Sequence, residues 1–232
     1  MEKVLRNEKK YMLNHMEFRK YANYFEKVLS VDSHNTSDGY IVRSLYFDTI
    51  DNKDFCLKEM GVENRRKIRL RIYDPNAEFA MLEMKQKQGN NQLKRSLKVN
   101  RKDAISLING NYECLLKYKE QFALECYSYM TSEAYFPVCV VQYNRKAFIC
   151  KENKIRITFD SNIVATETNF NIFDNNLPMY PVLSKFNVIL EVKYNGFLLG
   201  YVKDIVGQVD KIQISASKYC LARLVSMGYN YI

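Results

Sequence analysis

The stretch Lys67-Ile-Arg-Leu-Arg-Ile-Tyr73 decides how the rest of the chain is read. Charged and apolar residues alternate without a break, which is the side-chain period of a β-strand. Lys67, Arg69 and Arg71 therefore share one face, and Ile68, Leu70 and Ile72 share the other. Same-face neighbours lie about 7 Å apart, so each pair of cations repels by roughly 2 kcal/mol at an effective dielectric near 20. One such strand is a solvated face over a core. The pattern recurs, however, in Arg6-x-Glu8-x-Lys10, Glu83-x-Lys85-x-Lys87, Tyr143-x-Arg145, Arg156-x-Thr158-x-Asp160 and Glu191-x-Lys193. Many strands that each offer cations with a few carboxylates imply one shared polar surface built to hold a large anion.

The totals agree. With 232 residues, 47% of them hydrophobic, the chain can bury a substantial core as one domain, 1–232. Its net charge of +9 favours an acidic partner: nucleic acid, an anionic membrane or a phosphorylated molecule. The cysteines at 56, 114, 126, 139, 150 and 220 form no C-x-x-C pair, and Met1-Glu-Lys-Val-Leu-Arg6 lacks the apolar run of a signal peptide. Reduced thiols in a cytoplasmic protein are expected. No stretch approaches the roughly 20 apolar residues of a membrane span.

Working outward from the quoted strand, the pattern predicts strands at 65–73, 78–88 and 92–99, joined at Asp74-Pro75-Asn76 and Gly89-Asn90-Asn91 as an antiparallel meander. Upstream lie a strand at 4–11, a helix capped by Asn14 with Glu17, a polar loop over 30–39, a strand over 40–48 and a short helix over 51–60. Downstream come helices over 101–109 and 112–134, the latter with Leu115, Leu116, Phe122 and Tyr129 in the core. Strands at 137–150 and 154–160 follow, joined at Glu152-Asn153. A loop over 169–177, a strand over 187–194, and helices over 197–208 and 216–228 complete the chain. The order is α+β. A two-faced sheet can also be inverted: with the charged face inward it closes as an antiparallel barrel with a polar lumen, its apolar exterior covered by helices.

Several chemistries are missing. There is no P-loop and no G-x-G-x-x-G turn, and the only histidines, His15 and His34, read as surface residues. That excludes a histidine-based nucleophile and gives no zinc site. Lysines and arginines with a minority of carboxylates remain, and such a set suits phosphoryl transfer, which is run by positioning and electrostatics. Arginine grips two phosphoryl oxygens at once, and a carboxylate can hold a divalent metal. Ser217 ahead of Lys218-Tyr219 reads as the N-cap of the last helix, where an anion would offset a lysine placed at the positive dipole end.

Taken in order, the signatures Arg6-Asn-Glu-Lys-Lys-Tyr11, Ser44-Leu-Tyr-Phe-Asp-Thr49, Lys67-x-Arg69-x-Arg71, Leu82-Glu-x-Lys85, Lys94-Arg95, Tyr143-x-Arg145, Arg156-x-Thr-x-Asp160, Glu191-x-Lys193-Tyr194 and Ser217-Lys-Tyr219 resemble the VTC domain. This is the polyphosphate polymerase domain of the vacuolar transporter chaperone family, among the triphosphate tunnel enzymes that include the CYTH proteins. The resemblance implies a basic tunnel in which ATP gives its γ-phosphate to a polyphosphate chain, with Mn²⁺ or Mg²⁺. It implies that Arg69, Arg71, Lys85, Arg145 and Lys193 are catalytic. Lys10, Lys67, Lys94 or Arg95, Arg156, Ser217 and Lys218 would line the phosphate path. Glu191 would hold the metal, with Glu8 and Glu83 as second choices. The implied partners are ATP and polyphosphate, not nucleic acid, with room for a membrane or regulatory protein.

Two departures bear on the reaction. Hydrolytic relatives carry Glu-x-Glu-x-Lys on the first strand where this chain has Arg6-x-Glu8-x-Lys10, which favours transfer over hydrolysis. The family's eukaryotic members add a regulatory SPX domain and membrane helices, neither of which is expected here. Two alternatives stay open: a tripolyphosphatase of the same fold, and a non-catalytic module that binds polyphosphate or RNA. The second would draw its stacking aromatics from 18 tyrosines and 13 phenylalanines, most of them at core-like spacings.

Overall fold

The computed structural model describes residues 6–37, 39–89, 91–209, 211–215 and 217–228. Residues 4 and 5 of the first expected strand, Asn90 of the second meander turn, Ala216 and the side chain of Arg6 lie outside the described residues. In chain order the elements are β1 (Arg6–Asn14), α1 (His15–Val28), β2 (Ser30–Val31), β3 (Tyr40–Asp48), α2 (Lys53–Glu59), β4 (Arg65–Ile72), β5 (Phe79–Gln88) and β6 (Asn91–Asn100). They continue as α3 (Arg101–Ile108), α4 (Gln121–Ser132), β7 (Phe136–Cys150), β8 (Ile155–Thr166), β9 (Tyr180–Pro181), β10 (Asn187–Asn195), α5 (Gly200–Gly207) and α6 (Lys218–Ser226).

These elements form two compact units. The first comprises Met1–Ile41, Tyr143–Ile163 and Leu183–Ser217; the second comprises Val42–Gln142, Val164–Val182 and Lys218–Ile232. In the first unit the strand order is β1-β10-β8-β7, and in the second it is β7-β3-β4-β5-β6. The pairings whose register is described are antiparallel.

Each unit builds its core on the apolar face of its sheet. In the second, Ile68, Leu70, Leu82, Met84, Leu97 and Val99 pack with Ala104 and Leu107 of α3 and with Phe122, Cys126 and Met130 of α4. In the first, Leu13, Ile157, Phe159, Leu190 and Val192 pack with Tyr21 and Phe25 of α1 and with Val202 and Val206 of α5. Each Val, Leu, Ile, Phe or Met among them contributes about 1.5–3 kcal/mol on burial. The helices therefore cover the apolar faces and leave the charged faces to other work. The start of α1 is fixed by a capping box, as the sequence predicts: the Glu17 N–H donates to Asn14 Oδ1 at 2.9 Å, and the Asn14 N–H donates to Glu17 Oε2 at 2.8 Å. Such a cap is worth about 1 kcal/mol.

The α+β class and the meander are as expected; the closed barrel is not. Among the described residues each strand order is open. The outer edge of β1 is occupied by the segment before α6, through a Tyr11–Gln213 bridge and an Ile214 N–H to Lys10 carbonyl bond of 2.9 Å, while β6 ends the other order. Alternation dictates two faces and is silent on what meets an edge.

The single helix expected over 112–134 is also broken. A 3-10 turn over Glu113–Lys117 ends at Tyr118, whose extended backbone lets its hydroxyl donate to Asp103 Oδ2 at 2.6 Å, and α4 begins only at Gln121. Leu115 is buried as expected, but Leu116 is exposed.

Candidate functional site

The charged face of the second unit is built by β3, β4, β5 and β6. Register places Arg69 opposite Glu83 and Tyr46, and Arg71 opposite Ser44. Lys67, Lys85 and Lys94 form a row across three strands. Arg69 donates from Nε to Glu83 Oε2 at 2.8 Å, its Nη2 lies 2.7 Å from the same oxygen, and Arg71 Nη1 lies 3.7 Å from it. Lys94 pairs with the other oxygen. Burial works against ionisation of Glu83, but Arg69, Arg71 and Lys94 outweigh it and hold the carboxyl down to about 2. Both oxygens are thus held by cations.

Behind the arginines stands β3. Arg69 Nη1 donates to the Tyr46 hydroxyl at 3.1 Å, and Arg71 Nε donates to Ser44 Oγ at 3.2 Å. Burial alone would raise the Tyr46 phenol, yet Arg69 and Arg71 pull it below its ordinary value. Two residues further on, Asp48 accepts the N–H groups of Asp54 and Phe55 at 2.9 and 3.0 Å, capping α2 where Asn52 makes no side-chain cap. It also accepts the Tyr219 hydroxyl at 2.5 Å. Tyr219 stacks on Tyr46 with ring centroids 4.9 Å apart, so the first turn of α6 is anchored to this sheet. Lys67 Nζ lies 3.5 Å from Cys220 Sγ and 5.4 Å from the Tyr219 ring, and burial lowers its proton affinity.

In the first unit β1, β10, β8 and β7 carry the charged face. Register puts Glu8, Lys193 and Arg156 in one row and Lys10, Glu191 and Thr158 in the next. Lys193 pairs closely with Glu191 and lies 4.0 Å from Glu8, which in turn lies 3.1 Å from Lys10. Arg145 grips Asp160 with two hydrogen bonds of 2.7 and 2.8 Å and lies 4.0 Å from Glu191. Arg156 pairs with Asp32 at 2.8 Å and donates to the Tyr40 hydroxyl at 3.0 Å. Burial lowers the Lys193 ammonium to about 8 despite Glu191 and Glu8. Gly39 holds the backbone here: with φ +90°, a Cβ at this position would stand 2.2 Å from the Arg145 carbonyl oxygen.

The residues expected to line the site thus fall into two groups. Lys67, Arg69, Arg71, Glu83, Lys85 and Lys94 share the second unit's charged face, and Glu8, Lys10, Arg145, Arg156, Glu191 and Lys193 share the first's. Arg95 belongs to neither: it stands opposite Met84 on the helix-covered face and pairs with Glu125 of α4. Ser217 directly precedes α6, and Lys218 is its first residue. Sequence reasoning missed Ser44 and Tyr46 as supports of the arginines, and Tyr219 as the anchor of α6. The alternation Ser44-x-Tyr46-x-Asp48 was the available signal. It also passed over Arg43, which is buried and donates to the Ile172 carbonyl at 2.8 Å and to the Asp174 carbonyl at 2.5 Å, tying down the asparagine-rich loop.

Glu83, Glu191 and Glu8 each have both oxygens within 4.0 Å of a cation. Glu191 and Glu8 differ in sharing a face with the Thr158 hydroxyl, a buried oxygen without a hydrogen-bond partner among the described residues. Oxygen donors of this kind, completed by phosphate oxygens, suit Mg²⁺ or Mn²⁺. Among the described residues no three His, Cys, Asp or Glu side chains gather into a cage, so phosphate would have to supply the rest of the shell. No described helix is long and apolar enough to cross a membrane.

Known structures share the fold. A candidate adenylate cyclase of Bacillus halodurans aligns with a TM-score of 0.53 at 12% identity, covering 92% of this chain and 93% of its own. A chain of the Schizosaccharomyces pombe Mediator head module aligns with a TM-score of 0.50 at 7% identity, covering 90% and 97%. Comparison with curated proteins gives no match. Residues 5–227 match the family model described as the VTC domain.

Proposed function

The chain belongs to the VTC domain family, and from that premise we propose that it is a metal-dependent phosphotransferase that moves the γ-phosphate of ATP onto a polyphosphate chain. The observation that carries this reading is the in-register row of Lys67, Lys85 and Lys94 beside Arg69 and Arg71. Like charges placed directly opposite one another destabilise a sheet. A polyanion that bridges them reverses that cost.

In this reading 1–232 works as one functional domain whose charged faces each bind phosphate oxygens. Arg69 and Arg71 orient phosphoryl oxygens, pre-aligned by Tyr46, Ser44 and Glu83. Lys67, Lys85 and Lys94 neutralise a phosphate chain, and Lys10, Arg156, Ser217 and Lys218 are further phosphate-binding groups. Arg145, fixed by Asp160, and Lys193 hold charge that develops on the transferred group. Glu191 and Glu8 would hold a divalent metal, which would supply positive charge against the phosphates. The carboxylates of both faces are paired with cations, an environment that suits phosphate as acceptor better than a water awaiting a base.

The test is incubation of the pure protein with γ-labelled ATP and Mn²⁺. Label is expected in acid-labile chains, with short polyphosphate removing any lag. Label that emerges only as orthophosphate would replace the polymerase with a tripolyphosphatase, a reading favoured by the retention of Glu8 on β1. Glu191→Gln should lower turnover about a hundredfold or more while leaving polyphosphate binding intact or tighter. Equal turnover in that variant would remove Glu191 from the reaction.

A further inference from the structure

We propose that the Lys193 ammonium is a built-in latch on the metal position: it occupies the space between Glu191 and Glu8, and a polyanion must draw it away before a divalent cation can enter. The proposal rests on the reading of Glu191 and Glu8 as metal ligands and adds an order of binding to it. Its geometry is direct. Lys193 Nζ pairs with Glu191 Oε1 and lies 4.0 Å from Glu8 Oε2, so one cation already spans both carboxylates. Two further cations stand close: Lys10 lies 3.1 Å from Glu8, and Arg145 lies 4.0 Å from Glu191.

An independent observation points to a ligand at this position. Thr158, opposite Glu191 in the register, is 2% exposed, and its hydroxyl has no hydrogen-bond partner among the described residues. A buried hydroxyl left without a partner is destabilising. A cation with an oxygen shell, or the phosphate it carries, would satisfy it. The ammonium has a closer partner in Glu191, and its stem is a long, unbranched chain able to swing toward a phosphate oxygen. The carboxylates are therefore shielded from metal in the phosphate-free protein and exposed to it when phosphate takes the lysine.

The test uses the whole chain without nucleotide, with Mn²⁺ as the probe and its free electron-spin resonance signal as the readout. The parent protein should bind Mn²⁺ weakly. Lys193→Gln should bind it about tenfold more tightly or better, because a unit charge a few Å away is removed, and Glu191→Gln in that background should abolish the gain. Lys193→Arg, which keeps the charge, should stay like the parent. On the parent itself, sulfate, which binds Mn²⁺ only weakly, should raise the protein-bound fraction at fixed free Mn²⁺, so the idea stays testable if a variant fails to fold. Lys193→Gln that binds no tighter than the parent, or a parent indifferent to sulfate, overturns the latch. Because no ATP is present, that result would leave the polymerase reading to its own assay.

Discussion

The two charged faces are built from the same residue types on the same kind of strand, yet they pair them differently. In the first unit Glu8 stands against Lys193 and Lys10 against Glu191, so cation meets carboxylate across β1 and β10, while Lys193 meets Arg156 and Glu191 meets Thr158 across β10 and β8. In the second, Lys67 faces Lys85 and Lys85 faces Lys94, while three cations converge on the single carboxylate of Glu83. Cross-strand pairs of opposite charge stabilise a sheet and like pairs weaken it, by roughly 0.2–1 kcal/mol each. The first face pairs Lys10 with Glu8 and Lys193 with Glu191. On the proposed function, the second has more to gain from an external anion.

The largest expected contrast is in what a missing cation costs. Arg145→Ala would remove the two-point grip on Asp160, a carboxylate that is 0% exposed. It should cost about 3–5 kcal/mol, lowering the melting temperature by on the order of 10 °C. Lys94→Ala leaves Glu83 with two arginines, and because Lys94 is 49% exposed it should cost less than about 1 kcal/mol. Equal losses in thermal melts would break the comparison.

Next comes the response to ligand. Tripolyphosphate at about 100 times its Kd should add about 2.7 kcal/mol, a shift of roughly 5–10 °C, with orthophosphate giving little. Lys85→Gln should reduce that shift more than Lys10→Gln does. If every anion works alike at matched ionic strength, the second face has no specific site.

A pH scan should move the two units in opposite senses. Burial, with the neighbouring charge of Asp48, raises Asp54 of the second unit from 3.8 to about 7. A carboxyl whose folded value is raised contributes stability that is complete below about pH 3.8 and is lost as the pH climbs through about 7. Lys193 of the first unit runs the other way. Lowered from 10.5 to about 8, its contribution is complete above 10.5 and fades as the pH falls through 8. Melting between about pH 3.8 and 7 should therefore fall with rising pH through Asp54, and Asp54→Asn should flatten that slope. A slope unchanged in the variant would rule out Asp54 as its source.

The smallest effect isolates the rows themselves. Without ligand, Lys85→Gln removes like-charge neighbours and should raise stability by about 0.5 kcal/mol, whereas Lys10→Gln removes an attractive pair and should lower it by a similar amount. Denaturant titration of both variants resolves the sign. The same sign for both would mean that register does not govern these faces.

Much of this was legible beforehand where period alone decides. The apolar set Ile68, Leu70 and Ile72 went to the core and Lys67, Arg69 and Arg71 to the other face, because a strand has only two sides. The capping box of α1 was equally legible, since its partners are three residues apart. Choices that depend on distant partners were not. Lys94 and Arg95 read alike as site residues until the helix α4 offered Glu125 to one of them. The segment 112–134 has enough helical spacing for one helix, but the reach of Tyr118 to Asp103 broke it.

By itself the sequence determined which residues share a face, the α+β class and the family. Only the tertiary structure decided which charges meet across the strands. The reason is the period of the strand: slipping a neighbour by two residues keeps every side chain on its face but exchanges its partner, so that Arg69 could oppose Lys85 as readily as Glu83. Turns, helices and the packed apolar faces select one register, and with it which lysines face carboxylates and which face one another.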